Sequence, residues 1–172
     1  MHPTTLSLAT GTTWTAGELF REYSGFVAQL AFRLLGSDSD LDDVVQEVFL
    51  GAFRGLGAVR DARTIKGWLA TLTVRYAGRR LRKRKVAVFF GLGSDTIDEA
   101  MSPGANPEQV VLARQMWRAL DQLPVNDRLA WTLRHVEGEQ LEAVAQLCGC
   151  SLATAKRRIS AAQAVLDRSG QS

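Results

Sequence analysis

At 172 residues, with 46% hydrophobic and 23% charged residues, the chain is long enough to bury a core and too apolar to be disordered throughout. Its net charge of +3 conceals a bias: residues 1–85 hold thirteen Lys and Arg against eight Asp and Glu, residues 86–107 none against three, and residues 108–172 eight against seven. No run reaches the roughly 20 apolar residues that span a bilayer, and two cysteines make no disulfide framework, so membrane insertion and a disulfide-rich scaffold are excluded and a cytoplasmic protein is expected.

Residues 1–14, MHPTTLSLATGTTW, lack the basic start and long apolar core of a signal peptide and are expected to form a flexible leader. From Thr15 to Leu35, Leu19, Phe20, Tyr23, Phe26, Val27, Leu30, Ala31, Leu34 and Leu35 recur at three- and four-residue steps, which predicts a first helix stopped by Gly36. After the acidic turn SDSD, LDDVVQEVFLGAFRGL repeats the pattern as a second helix, with acids in its first turn where the helix dipole favours them. Asp43, Gln46, Glu47 and Leu50 follow at i, i+3, i+4 and i+7 and share a face opposite most of the apolar stripe.

Thr64 is the expected N-cap of a third helix burying Ile65, Trp68, Leu69, Leu72 and Tyr76, with Trp68 a packing residue and not a base-stacking platform. This helix runs into RRLRKRK, Arg79 to Lys85, six cations in seven residues. Arg75, Arg79 and Arg82 align along one stripe while Arg80, Lys83 and Arg84 spread around its flanks, a basic ridge suited to a polyanion. SDTIDEAMSPGANP, acidic and broken by Pro103, Gly104 and Pro107, reads as a linker.

Two further helices are expected from Asn106 and, after LPVND, through Leu129 to Val136, with Trp117 and Trp131 on their apolar faces. In EQLEAVAQLCGCSLATAKRRISAAQAVLDR two helices meet at a tight turn. Ala145 is small where helices would cross, Gly149 stands at a turn that favours positive φ, and Ser151 can cap the next helix: a helix-turn-helix. The second helix of the pair would present Thr154, Lys156, Arg157 and Arg158 and turn Ile159, Ala162 and Leu166 inward, so its N-terminal half could enter a major groove.

Cys148-Gly149-Cys150 has only His135 nearby in sequence, short of the four ligands of a structural zinc site, and the two cysteines are expected at the core and rim of the fold. No metal or other cofactor is assigned. No nucleophile, base or metal constellation supports an enzyme.

DDVVQEVFLGAF, KGWLATLTVRYAGRRLRKRK, a linker, ALDQLPVNDRLAWTLRHVEG and the helix-turn-helix, in that order, resemble an extracytoplasmic-function (ECF) sigma factor over roughly residues 17–90 and 106–168. The resemblance implies an all-α fold: two small helical domains, residues 15–90 and 107–168, joined by a flexible linker at 91–106 and followed by a tail at 169–172, with the helix-turn-helix in the second domain. It implies a factor that binds bacterial core RNA polymerase and directs it to promoter DNA. An anti-sigma factor would be a further partner. Asp43, Gln46, Glu47 and Leu50 match the family's polymerase-contact motif. Arg60, Asp61, Arg63, Lys66, Arg75, Arg79, Arg80 and Lys83 would engage the −10 element. Ser151, Ala153, Thr154, Lys156, Arg157 and Arg158 match the segment that reads the −35 element.

The chain departs from the family pattern at VRDARTIKGW, where many members carry a Ser-rich loop, and at Ala153 and Ala155, where Gly and Val are commoner. The alternative is a helix-turn-helix DNA-binding regulator without sigma activity, which would leave the DDVVQE face without a use. RRLRKRK is expected to hold phosphates through most of its charges, with the loop before the third helix specifying sequence.

Overall fold

In a computed structural model of the chain, which describes residues 5–7, 13–55, 64–92 and 106–169, the periodicity of residues 15–35 becomes α1, Ala16–Leu35. Thr15 caps it through a reciprocal box, its hydroxyl accepting from the Glu18 amide at 3.2 Å while the Thr15 amide donates to the Glu18 carboxylate at 2.8 Å. Backbone and side-chain hydrogen bonds from Thr15 hold the Glu18 carboxyl below its ordinary value. Gly36 ends the helix at φ +72°, its amide donating to the Phe32 carbonyl at 2.8 Å, a left-handed cap that glycine adopts without a Cβ penalty.

Six more helices follow among the described residues: α2 (Leu41–Gly55), α3 (Ile65–Phe89), α4 (Pro107–Gln122), α5 (Val125–His135), α6 (Leu141–Leu147) and α7 (Leu152–Ser169). The fold is all-α, as expected, apart from one short hairpin. The leader was expected to be flexible throughout, yet β1 (Thr5–Ser7) pairs antiparallel with β2 (Thr13–Thr15) in the register Leu6↔Trp14. β-branched threonines suit the pleat, and Trp14 packs on the helical core with its ring 6.0 Å from that of Tyr23. Thr64 also departs from expectation, sitting at φ −90° and ψ −8° with no capping hydrogen bond from its side chain.

α1, α2 and α3 pack as a three-helix group around Leu19, Val27, Leu34, Val48, Ile65 and Leu69. α5, α6 and α7 form a second group, with α4 against α7. The two groups share one hydrophobic core, into which α5 contributes Leu129 and Leu133 and the helix-turn-helix contributes Val144 and Ala155. Close approach needs a small residue on α3, and Gly78 supplies it: a Cβ there would lie 3.0 Å from the Leu129 side chain.

Polar contacts secure the same boundary. Arg33 on α1 donates to both carboxylate oxygens of Glu137, each at 3.0 Å. Arg128, only 2% exposed, donates to the Leu35 carbonyl at 2.7 Å and pairs with Asp121. Burial lowers the pKa of this guanidinium, so its acceptors are what keep a charge tenable there.

Candidate functional site

Three surfaces carry the residues singled out in the sequence. On α2, Val44, Val48, Phe49 and Ala52 turn inward while Asp43, Gln46, Glu47 and Leu50 are all exposed. The four therefore form one outward face, and Leu50, at 45% exposure, closes it with an apolar side chain. Such a patch can give register through its charges and buried area through its leucine.

The second surface is α3. Arg60, Asp61 and Arg63 lie outside the described residues. Lys66 is exposed, with its ammonium 4.8 Å from the centre of the Phe26 ring. Nine residues, about two and a half turns, separate Lys66 from Arg75, so the two point to opposite sides of the helix. Arg75 and Arg79 are both exposed and flank the Tyr76 ring at 5.1 and 5.7 Å. Lys83 continues their side of α3, also exposed.

RRLRKRK does not act as one ridge. Arg80 is half-buried and donates to both Asp40 and Asp43, the latter at 3.0 Å. Arg84 donates through Nε to Asp40, through Nη2 to Ser37 at 2.9 Å and Ser39 at 3.1 Å, and through Nη1 to the Leu35 carbonyl at 3.3 Å. Lys85 reaches the Leu123 carbonyl at 2.6 Å and Arg82 the Asn126 side chain at 3.4 Å. Arg80, expected to engage the −10 element, thus has two carboxylate partners in the chain itself. The physical reason is helical phase: Arg80 and Arg84, one turn apart, face the α1–α2 turn, while Arg75 and Arg79 lie about 100° or more round the helix from them and Lys83 stands on the flank between.

Asp40, the acceptor common to both arginines, was not singled out in the sequence. Its side chain is 12% exposed. Burial alone would raise its carboxyl pKa, but hydrogen bonds from Arg80 and Arg84 outweigh this and hold it below the ordinary carboxylate value. Bonding to Asp40 correspondingly raises Arg80. The acidic turn SDSD was visible as a turn; that its last residue receives charges from forty residues downstream was not.

The third surface is the helix-turn-helix of α6 and α7. Gly149 lies at φ +60°, and the Cys150 amide donates back to the Ala145 carbonyl at 2.9 Å, closing the turn. The Ser151 hydroxyl accepts from the Thr154 amide at 3.2 Å and bonds the Thr154 hydroxyl at 2.9 Å, so it caps α7 as expected. Ala155 and Ala162 are fully buried. Ser151, Ala153, Lys156 and Arg157 are exposed, whereas Thr154 and Arg158 are half-buried. The first turns of α7 therefore present amides, hydroxyls and two exposed cations.

Cys148 and Cys150 are both free thiols of intermediate exposure, packed on the core. Burial pushes the Cys148 thiol up to about 11, which keeps it protonated near neutrality. Among the described residues there is no group of three or more His, Cys, Asp or Glu able to hold a metal, and no helix long and apolar enough to cross a membrane.

Comparison with known proteins agrees with this layout. Residues 19–86 match the family model for Sigma-70 region 2, and residues 113–164 match that for Sigma-70 region 4. The ECF RNA polymerase sigma factor SigE of Mycolicibacterium smegmatis is 32% identical over 146 residues, covering 83% of this chain and 56% of the relative, so the chain spans a little over half of that protein's length. The ECF RNA polymerase sigma-E factor of Escherichia coli K12 is 29% identical over 159 residues, covering 87% of this chain and 83% of the relative. The fold matches the sigma factor RpoE of Bartonella quintana, solved with the anti-sigma factor NepR, at a TM-score of 0.66 and 22% identity over 88% of this chain and 94% of that one. It also matches CnrH, solved with the cytosolic domain of CnrY, at a TM-score of 0.60 and 23% identity over 89% of this chain and 85% of that one.

Proposed function

The chain belongs to the ECF sigma factors, and we propose that it binds bacterial core RNA polymerase and directs it to promoters, working in the cytoplasm by binding and not by catalysis. The observation that carries this reading is the presence of both matched regions, 19–86 and 113–164, in one chain and in that order. A regulator acting through its helix-turn-helix alone would leave the first region without a use.

In this reading Asp43, Gln46, Glu47 and Leu50 dock on the polymerase, supported by their common exposure on α2. Arg75, Arg79 and Lys83 track phosphates near the −10 element, where counterion release makes affinity steeply salt-dependent. Lys66 acts from the other side of α3, and Arg60, Asp61 and Arg63 from the loop before it. Ser151 and Thr154, with the free amides at the start of α7, take a phosphate of the −35 element. Lys156, Arg157 and Arg158 reach toward base edges, for which guanine O6 and N7 are the natural acceptors, and Ala153 supplies an apolar contact.

An anti-sigma factor is a fitting partner, because RpoE and CnrH, both of similar fold, were solved with NepR and with a domain of CnrY. Such a partner would act by covering the surfaces just described. Run-off transcription from a promoter library with purified core polymerase tests the central reading: sequence-selective transcripts only when this chain is added are expected, and their absence despite binding to DNA would favour the regulator.

A further inference from the structure

We propose that Arg84 is a positioning residue for the α2 docking face, holding the α1–α2 turn against α3 so that Asp43, Gln46, Glu47 and Leu50 stand where polymerase meets them. The proposal rests on the reading of that face as the polymerase contact.

Three observations converge on it. Asp40 immediately precedes α2, and its carbonyl accepts the first turn's hydrogen bond from the Val44 amide at 3.1 Å, so whatever fixes Asp40 fixes the start of the helix. The Asp40 side chain is nearly enclosed and receives both guanidinium groups. Arg84 also uses its remaining nitrogens on Ser37, Ser39 and the Leu35 carbonyl, gathering the end of α1, the whole turn and the start of α2 onto one planar group. An arginine fork can satisfy several acceptors at fixed angles, which a lysine cannot. Arg80 engages its two carboxylates through a single nitrogen.

This difference in wiring yields the test. Core polymerase affinity of the full chain is measured at one salt concentration for Arg84→Lys, Arg80→Lys and the pair Gln46→Ala with Glu47→Ala, beside melting temperatures and the salt slope of promoter-duplex binding. Arg84→Lys is expected to weaken polymerase binding about tenfold, since the charge remains but the fork is lost. Arg80→Lys should stay within about twofold of the parent, and both should leave the salt slope of DNA binding unchanged.

If Arg84→Lys binds polymerase like the parent while the Gln46 and Glu47 pair weakens it, the positioning role is wrong and the docking face stands. If the Gln46 and Glu47 pair has no effect, the face itself is misread. A salt slope flattened by about one unit in an Arg84→Gln chain would assign that residue to phosphate and overturn the proposal. Should Arg84→Lys melt at a markedly lower temperature, Ser39→Ala removes one exposed acceptor without touching the carboxylate; a threefold loss of polymerase affinity is then expected, and parental affinity would overturn the proposal.

Discussion

Gly36 and the Trp117 ring meet across the boundary between the two helical groups, so closely that a Cβ on Gly36 would fall 2.6 Å from Trp117 Cε3. Gly36 also sits at φ +72°, where a side chain is strained whatever the space. Gly36→Ala should therefore destabilise the chain by about 1–2 kcal/mol through backbone conformation and further through the clash. In a Trp117→Ala background the clash with the ring is relieved, leaving the conformational part and the 3.0 Å approach to Arg128 Nη2. Urea unfolding of the four chains of this cycle measures the difference; equal costs in both backgrounds would mean that the ring does not rest there.

Leu50 is exposed at the C-terminal end of the α2 face, so truncating it removes little from the folded core. Leu50→Ala should leave the unfolding free energy within about 0.5 kcal/mol of the parent and weaken core polymerase binding by roughly fivefold to thirtyfold, the range of a 1–2 kcal/mol contact. Competition binding against a labelled sigma factor reads the second quantity.

On α3 the prediction is one of slopes. Arg79→Ala and Lys83→Ala should each flatten the dependence of log affinity on log salt for promoter DNA by close to one unit, lowering affinity about equally on all sequences. Fluorescence anisotropy at several salt concentrations suffices, and a reordered promoter ranking would assign these side chains to bases instead.

In the helix-turn-helix, Ser151→Ala removes the hydroxyl that accepts from the Thr154 amide and should cost about 1 kcal/mol of stability. Arg158→Ala should change which −35 sequences are preferred, and Arg157→Ala should mainly lower affinity. Selection from a randomised −35 duplex separates the two; an unchanged preference in Arg158→Ala would remove that residue from direct readout.

Asp40 predicts a pH dependence with a definite sign. Its carboxyl pKa is depressed in the fold by the hydrogen bonds of Arg80 and Arg84, which outweigh burial, so the folded state binds the proton less well than the unfolded chain. The stabilisation is complete above the unfolded value near about pH 4 and is lost as pH falls through the depressed folded value. Asp40→Asn should therefore be less stable than the parent at pH 7, with the gap closing below about pH 4. A gap independent of pH would detach the effect from ionisation.

Much of the layout was legible because it is written in local spacing. The three-and-four periodicity of residues 15–35 and 41–55 places α1 and α2, and the same rule puts Asp43, Gln46, Glu47 and Leu50 on one outward face. Gly149 and Ser151 announce a turn and a cap within a few residues of each other, and both perform as expected. The capping box of Thr15 and Glu18 is equally local, a Thr-x-x-Glu spacing readable in the sequence beyond the expectations stated for this helix. What no local rule reaches is pairing over distance. Thr5–Ser7 becomes a strand only because Thr13–Thr15 lies beside it, and Arg84 differs from Lys83 only because α3 turns it toward Ser37, Ser39 and Asp40. Charge counting treats the run as one object; tertiary structure sorts it into separate tasks.

The continuity of α3 has a mechanical consequence. Twenty-five residues without a break make a rod about 37 Å long, gripped near Arg80 and Arg84 by the turn that leads into α2. Lys66 lies fourteen residues away, about 21 Å along the axis. A rotation of about five degrees at the grip would swing that end by about 2 Å, the scale that decides whether a cation meets a phosphate. Because Ile65 and Leu69 seat the Lys66 end in the core shared by α1, α2 and α3, such a rotation carries the three helices together, and a force felt at the α2 face reaches the surface proposed to hold DNA through that common packing.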